Sequence, residues 1–118
     1  MNLVIKRIAI ILILGTFIAS LNDKIFDFNN SLIGIQNKGI PFPLLALLGA
    51  ISFQLIGITG ITLKELGNKN YYLKYSKFFL IVFTLLATYF YHNIFYQENQ
   101  EINFLKNMGL IGGLLLIN

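Results

Sequence analysis

Residues 41–63 read PFPLLALLGAISFQLIGITGITL, 23 consecutive residues without a charge. A helix rises about 1.5 Å per residue and the hydrocarbon core of a bilayer is about 30 Å thick, so about 20 apolar residues suffice to cross it. The stretch reads as a transmembrane helix, opened by Ile40-Pro-Phe-Pro43, because proline is well accommodated in a first helical turn. On either side of it the same arithmetic repeats. Residues 3–21 form an upstream apolar run whose core, Ile8–Leu21, is uncharged, and residues 77–96 form a third run. Residues 102–117 form the shortest, with Lys106 near its start. That last run suits a locally thinned bilayer or a Lys106 side chain that snorkels to the interface. The fold class read from this pattern is all-α: a polytopic transmembrane four-helix bundle in a single domain over residues 1–118.

The composition agrees. The 118-residue chain is 56% hydrophobic and 12% charged, with a mean hydropathy of +0.71. Soluble domains carry about 25% charged residues, so this chain has too few to cover a soluble sphere. It contains no cysteine, which excludes a disulfide framework, a thiolate metal site, an iron–sulfur cluster and a cysteine nucleophile from this chain. Its one histidine excludes a two-histidine haem site or a three-histidine zinc site within a monomer. A pI near 9.4 would suggest nucleic acid in a soluble domain; here the lysines sit between apolar runs, so the charge is topological and no nucleic-acid partner is expected.

Orientation follows from those lysines. Lys6, Arg7, Lys64, Lys69, Lys74 and Lys77 lie on one side, against Lys24, Lys38 and Lys106 on the other, where Glu98 and Glu101 also fall. The positive-inside rule then puts both termini on the cytoplasmic (or matrix) side. Tyr71, Tyr72 and Tyr75 before the third run, with Tyr89, Tyr91 and Tyr96 toward its far end, read as two interfacial aromatic belts. The first run has a rival reading as a signal peptide, since Lys6-Arg7 precedes it, but no small-x-small cleavage site follows. The Asn22–Ile40 connection is amphipathic and reads equally as an interfacial helix or as a packed loop.

Small residues let membrane helices approach. Gly109, Gly112 and Gly113 in the fourth run, with Ala46, Gly49, Ala50, Gly57 and Gly60 in the second, predict a close pair between those two helices. A homodimer face is the less favoured use of the same glycines. Polar residues in apolar runs tend to face the bundle interior and mark function. Gln54 shares a face with Ala50 and Gly57, and Thr84, Thr88 and His92 recur every four residues. In the expected topology Asp23, Lys24, His92, Lys106 and Asn107 come to a similar depth at the outer end, with Gln54 roughly 20 Å below Pro41. These six residues are the candidate ligand-binding set. Plain alternatives stand beside each: His92 as an interfacial hydrogen-bonding residue, Lys106 as a snorkelling one, Asp23-Lys24 as a membrane edge, Gln54 as an interhelical contact. Nothing in the pattern designates a catalytic or metal-ligating residue.

The motif Phe17-Ile-Ala-Ser-Leu-Asn-Asp-Lys24 after Arg7 resembles the first-helix motif of DoxX-type membrane proteins. Gly39-Ile-Pro-Phe-Pro43 is similar to their turn into helix two, Gln54-Leu-Ile-Gly57 to their helix-two motif, and Phe104-Leu-Lys-Asn-Met-Gly-Leu-Ile-Gly-Gly-Leu114 to their final helix. Two positions depart from the pattern: Gln54 stands where the family usually has glutamate, and Leu21 where it usually has glycine. The chain therefore looks like a divergent member. The resemblance implies a four-helix integral membrane protein, and some members are small subunits of membrane oxidoreductases, including thiosulfate:quinone oxidoreductase. It implies a quinone as the associated cofactor, with protein partners in a membrane complex. The plentiful Asn, Ile and Lys and the absence of Trp, as AT-rich coding produces, point to a bacterial cell, an organelle or a virus as the source of that membrane. The alternative function is a non-catalytic structural or assembly subunit. A small transporter or channel ranks last, because four short helices leave little room for a pore.

Overall fold

Asn2 opens the first helix: its extended backbone leaves the helical path and its side-chain oxygen accepts the Val4 N–H at 2.7 Å, the arrangement of an N-cap. The computed structural model describes residues 2–67, 73–91 and 101–117, and all five elements among them are helices: α1 (Leu3–Phe26), α2 (Phe28–Asn37), α3 (Pro43–Glu65), α4 (Leu73–Tyr91) and α5 (Glu101–Leu116). The expected helices at 77–96 and 102–117 correspond to α4 and α5. Residues 92–96 of the third run, with Tyr71 and Tyr72 of one aromatic belt and Tyr96 of the other, lie outside the described residues.

The connection between the first two long helices is itself helical. α1 runs on past Leu21 through Asn22-Asp23-Lys24, and Lys24 reaches back one turn to the Ser20 hydroxyl. The helix breaks at Asp27, whose φ of −123° and ψ of 46° leave the α region. Its carbonyl then accepts the Ser31 N–H at 3.0 Å and its carboxylate accepts from Asn30 at 2.9 Å, so one residue ends α1 and starts α2. Gly39 (φ 74°) ends α2 in the left-handed conformation that glycine adopts without steric penalty. Phe42 sits between two prolines at φ 51° and ψ 63°, a conformation that costs a residue with a Cβ roughly 1–2 kcal/mol. Pro43 then occupies the first turn of α3, as the sequence predicts.

α1 and α3 are each long and apolar enough to cross a membrane. α5 has 16 residues, about 24 Å of helix, and α4 carries Lys74 and Lys77 in its opening turns. The helices form a ring in which α1 packs on α3, α3 on α4, α4 on α5 and α5 back on α1, while α2 lies across α3 and α1 at one end. The core between them is Ile10, Leu14 and Phe17 of α1, Ile61 of α3, Leu80 of α4, and Leu114 and Ile117 at the end of α5. The α1 residues recur at i, i+4 and i+7, one stripe of a 3.6-residue helix. Phe17 and Phe83 meet edge-to-face across the ring, with centroids 6.4 Å apart.

The expected close pair of second and fourth runs does not form: α3 and α5 stand on opposite sides of the ring, without packing against each other among the described residues. The glycines explain why. A Cβ on Gly57 would overlap the Leu80 side chain, and one on Gly113 would meet Ile13 Cδ1 at 2.8 Å, whereas Gly109 and Gly112 have open space there. Gly57 and Gly113 thus receive bulky side chains from neighbouring helices, instead of bringing two glycine faces together.

Opposite the core, the apolar side chains turn outward. Ile11, Leu12, Leu45 and Leu116 are 68–69% exposed. Two sets of polar contacts tie helix ends together. Glu65 pairs with Lys6 at 3.2 Å and lies 3.9 Å from Arg7, joining the start of α1 to the end of α3. Lys77 donates to the Leu115 and Ile117 carbonyls at 3.3 and 2.6 Å, satisfying acceptors that the end of α5 leaves without an intrahelical partner.

Candidate functional site

The break at Asp27 and the turn through Gly39 and Phe42 fold α2 back over the end of the bundle, and this creates a cavity of about 780 Å³ reached by all five helices. That volume is in the range of small-molecule sites. Phe17, Phe53, Phe83 and Phe90 supply aromatic walls, together with Leu47 and Leu110. Ser31, Gly34 and Ile35 of α2 form the roof; Ile35 is the buried anchor of that helix. The Lys38 ammonium lies 5.3 Å from the Tyr91 ring centroid, a cation–π contact that ties the end of α2 to the end of α4.

The polar groups are few and directional. Lys24 is partly buried, donates to the Ser20 hydroxyl at 2.5 Å and to the Ser20 carbonyl at 3.5 Å, and sits 5.0 Å over the Phe83 ring. Its stem therefore runs along α1 and its charge points across the cavity toward α4. On α4, Thr84 and Thr88 return their hydroxyl protons to the Leu80 and Thr84 carbonyls at 2.8 and 2.7 Å, the back-bonding that lets threonine stay in an apolar helix. Thr88 also accepts from Asn107 Nδ2 at 3.0 Å, which fixes α5 against α4 at the cavity.

Of the candidate residues, Asp23, Lys24 and Asn107 line this cavity together, Asp23 exposed at its rim and Asn107 partly buried. Lys106 is exposed and is not among the lining residues. His92 lies outside the described residues. Gln54 is fully buried and also not among the lining residues; its Nε2 donates to the Phe17 carbonyl at 3.4 Å and its Oε1 has no partner. The packing glycines divide as described above, Gly57 and Gly113 inside and Gly109 and Gly112 open. Ser20, Asp27, Asn30 and the four phenylalanines were not legible as site residues in advance. Ser20 carried a signal, the i, i+4 spacing to Lys24; the phenylalanines carried none, because an aromatic in an apolar run faces lipid as readily as a cavity.

Among the described residues no group of three histidine, cysteine or carboxylate side chains gathers as a metal site would require. What the arrangement offers is a slot with aromatic walls, one inward-pointing ammonium and an amide held against Thr88. It can seat the apolar body of an amphiphile and donate hydrogen bonds to its polar end. Comparison with family models, with characterised proteins and with solved structures finds no match to this chain.

Proposed function

We propose that the chain is a DoxX-like multi-pass integral membrane protein in which α1, α3, α4 and α5 cross the bilayer with both termini on the cytoplasmic side. In this reading it is a small subunit of a membrane-bound, quinone-linked oxidoreductase, with a thiosulfate:quinone enzyme as one candidate. The membrane reading is supported by the apolar exteriors of the helices, since contiguous exposed apolar surface needs a covering phase. A long dimension of 43 Å also agrees with a bilayer of roughly 40–45 Å including headgroups. The binding role rests on one observation, the aromatic-walled cavity with Lys24 and Asn107 on its lining. A quinone ring needs an apolar slot and donors for its carbonyl oxygens, and this cavity has both. The chain carries no redox centre of its own in this proposal, so electrons come from a partner subunit.

Purification of the tagged protein in a mild detergent, with mass spectrometry of bound proteins and an extract assayed for quinone, tests the proposal. A stoichiometric redox partner, with a raised apparent quinone KM in Lys24→Met and Asn107→Ala, is the expected result. Recovery without a redox partner and without quinone refutes it. The second reading, a non-catalytic assembly subunit, is favoured by the open positions of Gly109 and Gly112 on α5. It predicts that Gly112→Leu weakens the complex while the cavity variants leave it assembled.

A further inference from the structure

The cavity's charge arrangement is asymmetric. Its lining cation, Lys24, is partly buried and points inward over Phe83, and its close partners are the neutral Ser20 hydroxyl and carbonyl. Among the described residues no carboxylate stands within ion-pair distance of it. The two acids on the lining, Asp23 and Asp27, are both exposed at the rim, and Asp27 is engaged by Asn30. Asp23 acts on Lys24 only at longer range, from an exposed position. An ammonium withdrawn from water among aromatic rings gains most from an anionic oxygen brought to it, because the attraction rises as the local dielectric falls. Water screens the rim carboxylates, so their repulsion is weaker than the attraction at Lys24. That repulsion still disfavours a doubly charged head.

We propose that the cavity takes a single-chain amphiphile with a monoanionic carboxylate head, the carboxylate on Lys24 and the chain among Phe17, Phe53, Phe83 and Phe90. A phosphate monoester brings a second negative charge past Asp23 and Asp27, and a two-chain lipid exceeds a slot of about 780 Å³. The inference rests on the cavity being an amphiphile site, as proposed above, and does not depend on the oxidoreductase partner. Neutral quinones offer Lys24 only a carbonyl acceptor, whereas a carboxylate supplies its counter-charge.

The test is equilibrium binding of radiolabelled palmitate to the purified full chain in a neutral maltoside, with hexadecanol as the uncharged probe and hexadecyl phosphate as the doubly charged head, both of the same chain length. Saturable palmitate binding near one per chain is expected. It weakens roughly 10- to 100-fold in Lys24→Met, as loss of a charge-assisted hydrogen bond in a desolvated site implies. Lys24→Arg stays within a few-fold of the parent, and Lys106→Met, outside the cavity, binds as the parent does. Hexadecanol binding is the same in the parent and in Lys24→Met, and hexadecyl phosphate binds more weakly than palmitate. Ala50→Trp, which fills the cavity from α3, removes palmitate binding and serves if Lys24→Met does not fold. Equal palmitate affinity in the parent and in folded Lys24→Met, or no saturable binding by the folded parent, overturns the proposal. A short-chain quinone is run as competitor. Quinone binding without palmitate binding overturns this inference and leaves the oxidoreductase reading intact; palmitate binding without a redox partner does the reverse.

Discussion

Gly57→Ala adds one methyl where the Leu80 side chain already lies. Leu80 is fully buried, and the added Cβ would overlap its Cγ and one of its methyl groups, with the other at 3.0 Å. The obstruction is a branch point at the root of a buried side chain, so rotating a flexible tip does not relieve it. Overpacking of this kind costs about 1–3 kcal/mol, while replacing glycine by alanine inside a helix returns about 0.5–1 kcal/mol. The expected net loss therefore lies between about zero and about 2.5 kcal/mol, centred near about 1 kcal/mol. Gly112→Ala is the control: its Cβ enters open space, so only the gain applies and the two variants differ by about 2 kcal/mol. Leu80→Ala alone costs about 2–5 kcal/mol through the cavity it leaves. In that background Gly57→Ala loses its penalty, so the double variant is more stable than the sum of the singles by about 1–3 kcal/mol. Unfolding in mixed micelles with rising dodecyl sulfate, followed by far-UV circular dichroism, measures the four variants and the parent. A Gly57→Ala protein as stable as Gly112→Ala, or additive effects in the double variant, would refute the packing of α3 against α4 described above.

Three more outcomes are expected from the same assay or a simple companion. Gln54→Leu removes an orphaned carbonyl oxygen along with a long 3.4 Å hydrogen bond; since an unsatisfied buried acceptor costs about 1–3 kcal/mol, the variant is as stable as the parent or more so, and a loss above 1 kcal/mol would contradict this. Thr88→Val removes the acceptor for Asn107 and destabilises by about 0.6 kcal/mol, up to about 1.7, as interhelical hydrogen bonds in membranes do; Asn107→Ala in that background adds little further. The cysteine-free chain allows single-cysteine mapping in right-side-out vesicles. With an impermeant maleimide, Asn37→Cys at the end of α2 is labelled from outside and Asn2→Cys only after permeabilisation. Labelling of both from the same side would refute the proposed odd number of crossings between them.

How far the sequence carried the reading differs from element to element. The long helices were legible because their lengths and apolar runs leave few other ways to bury or solvate the backbone. The start of α1 and both ends of α3 and α5 lie within two residues of those expected, whereas α1 continues five residues past Leu21 to Phe26. Asp23, Lys24 and Asn107 were legible as residues of one end, because helix direction assigns depth. Depth does not assign azimuth. Lys106 and Asn107 are neighbours in sequence, yet one is exposed and the other touches Thr88, since successive helical residues point about 100° apart.

By itself, then, the sequence determined that the chain is helical, that its helices are apolar on their outer faces, and which residues share each end. Hydropathy and periodicity encode those properties locally. The tertiary structure decided which helices are neighbours, because a glycine's role depends on whether Leu80, Ile13 or open space faces it. It also decided that the Asn22–Ile40 connection becomes a roof. Asp27 breaks the helix and Gly39 and Phe42 turn the chain back, and only once α2 lies across α1 and α3 do Lys24, Asn107 and four phenylalanines drawn from three helices enclose one space.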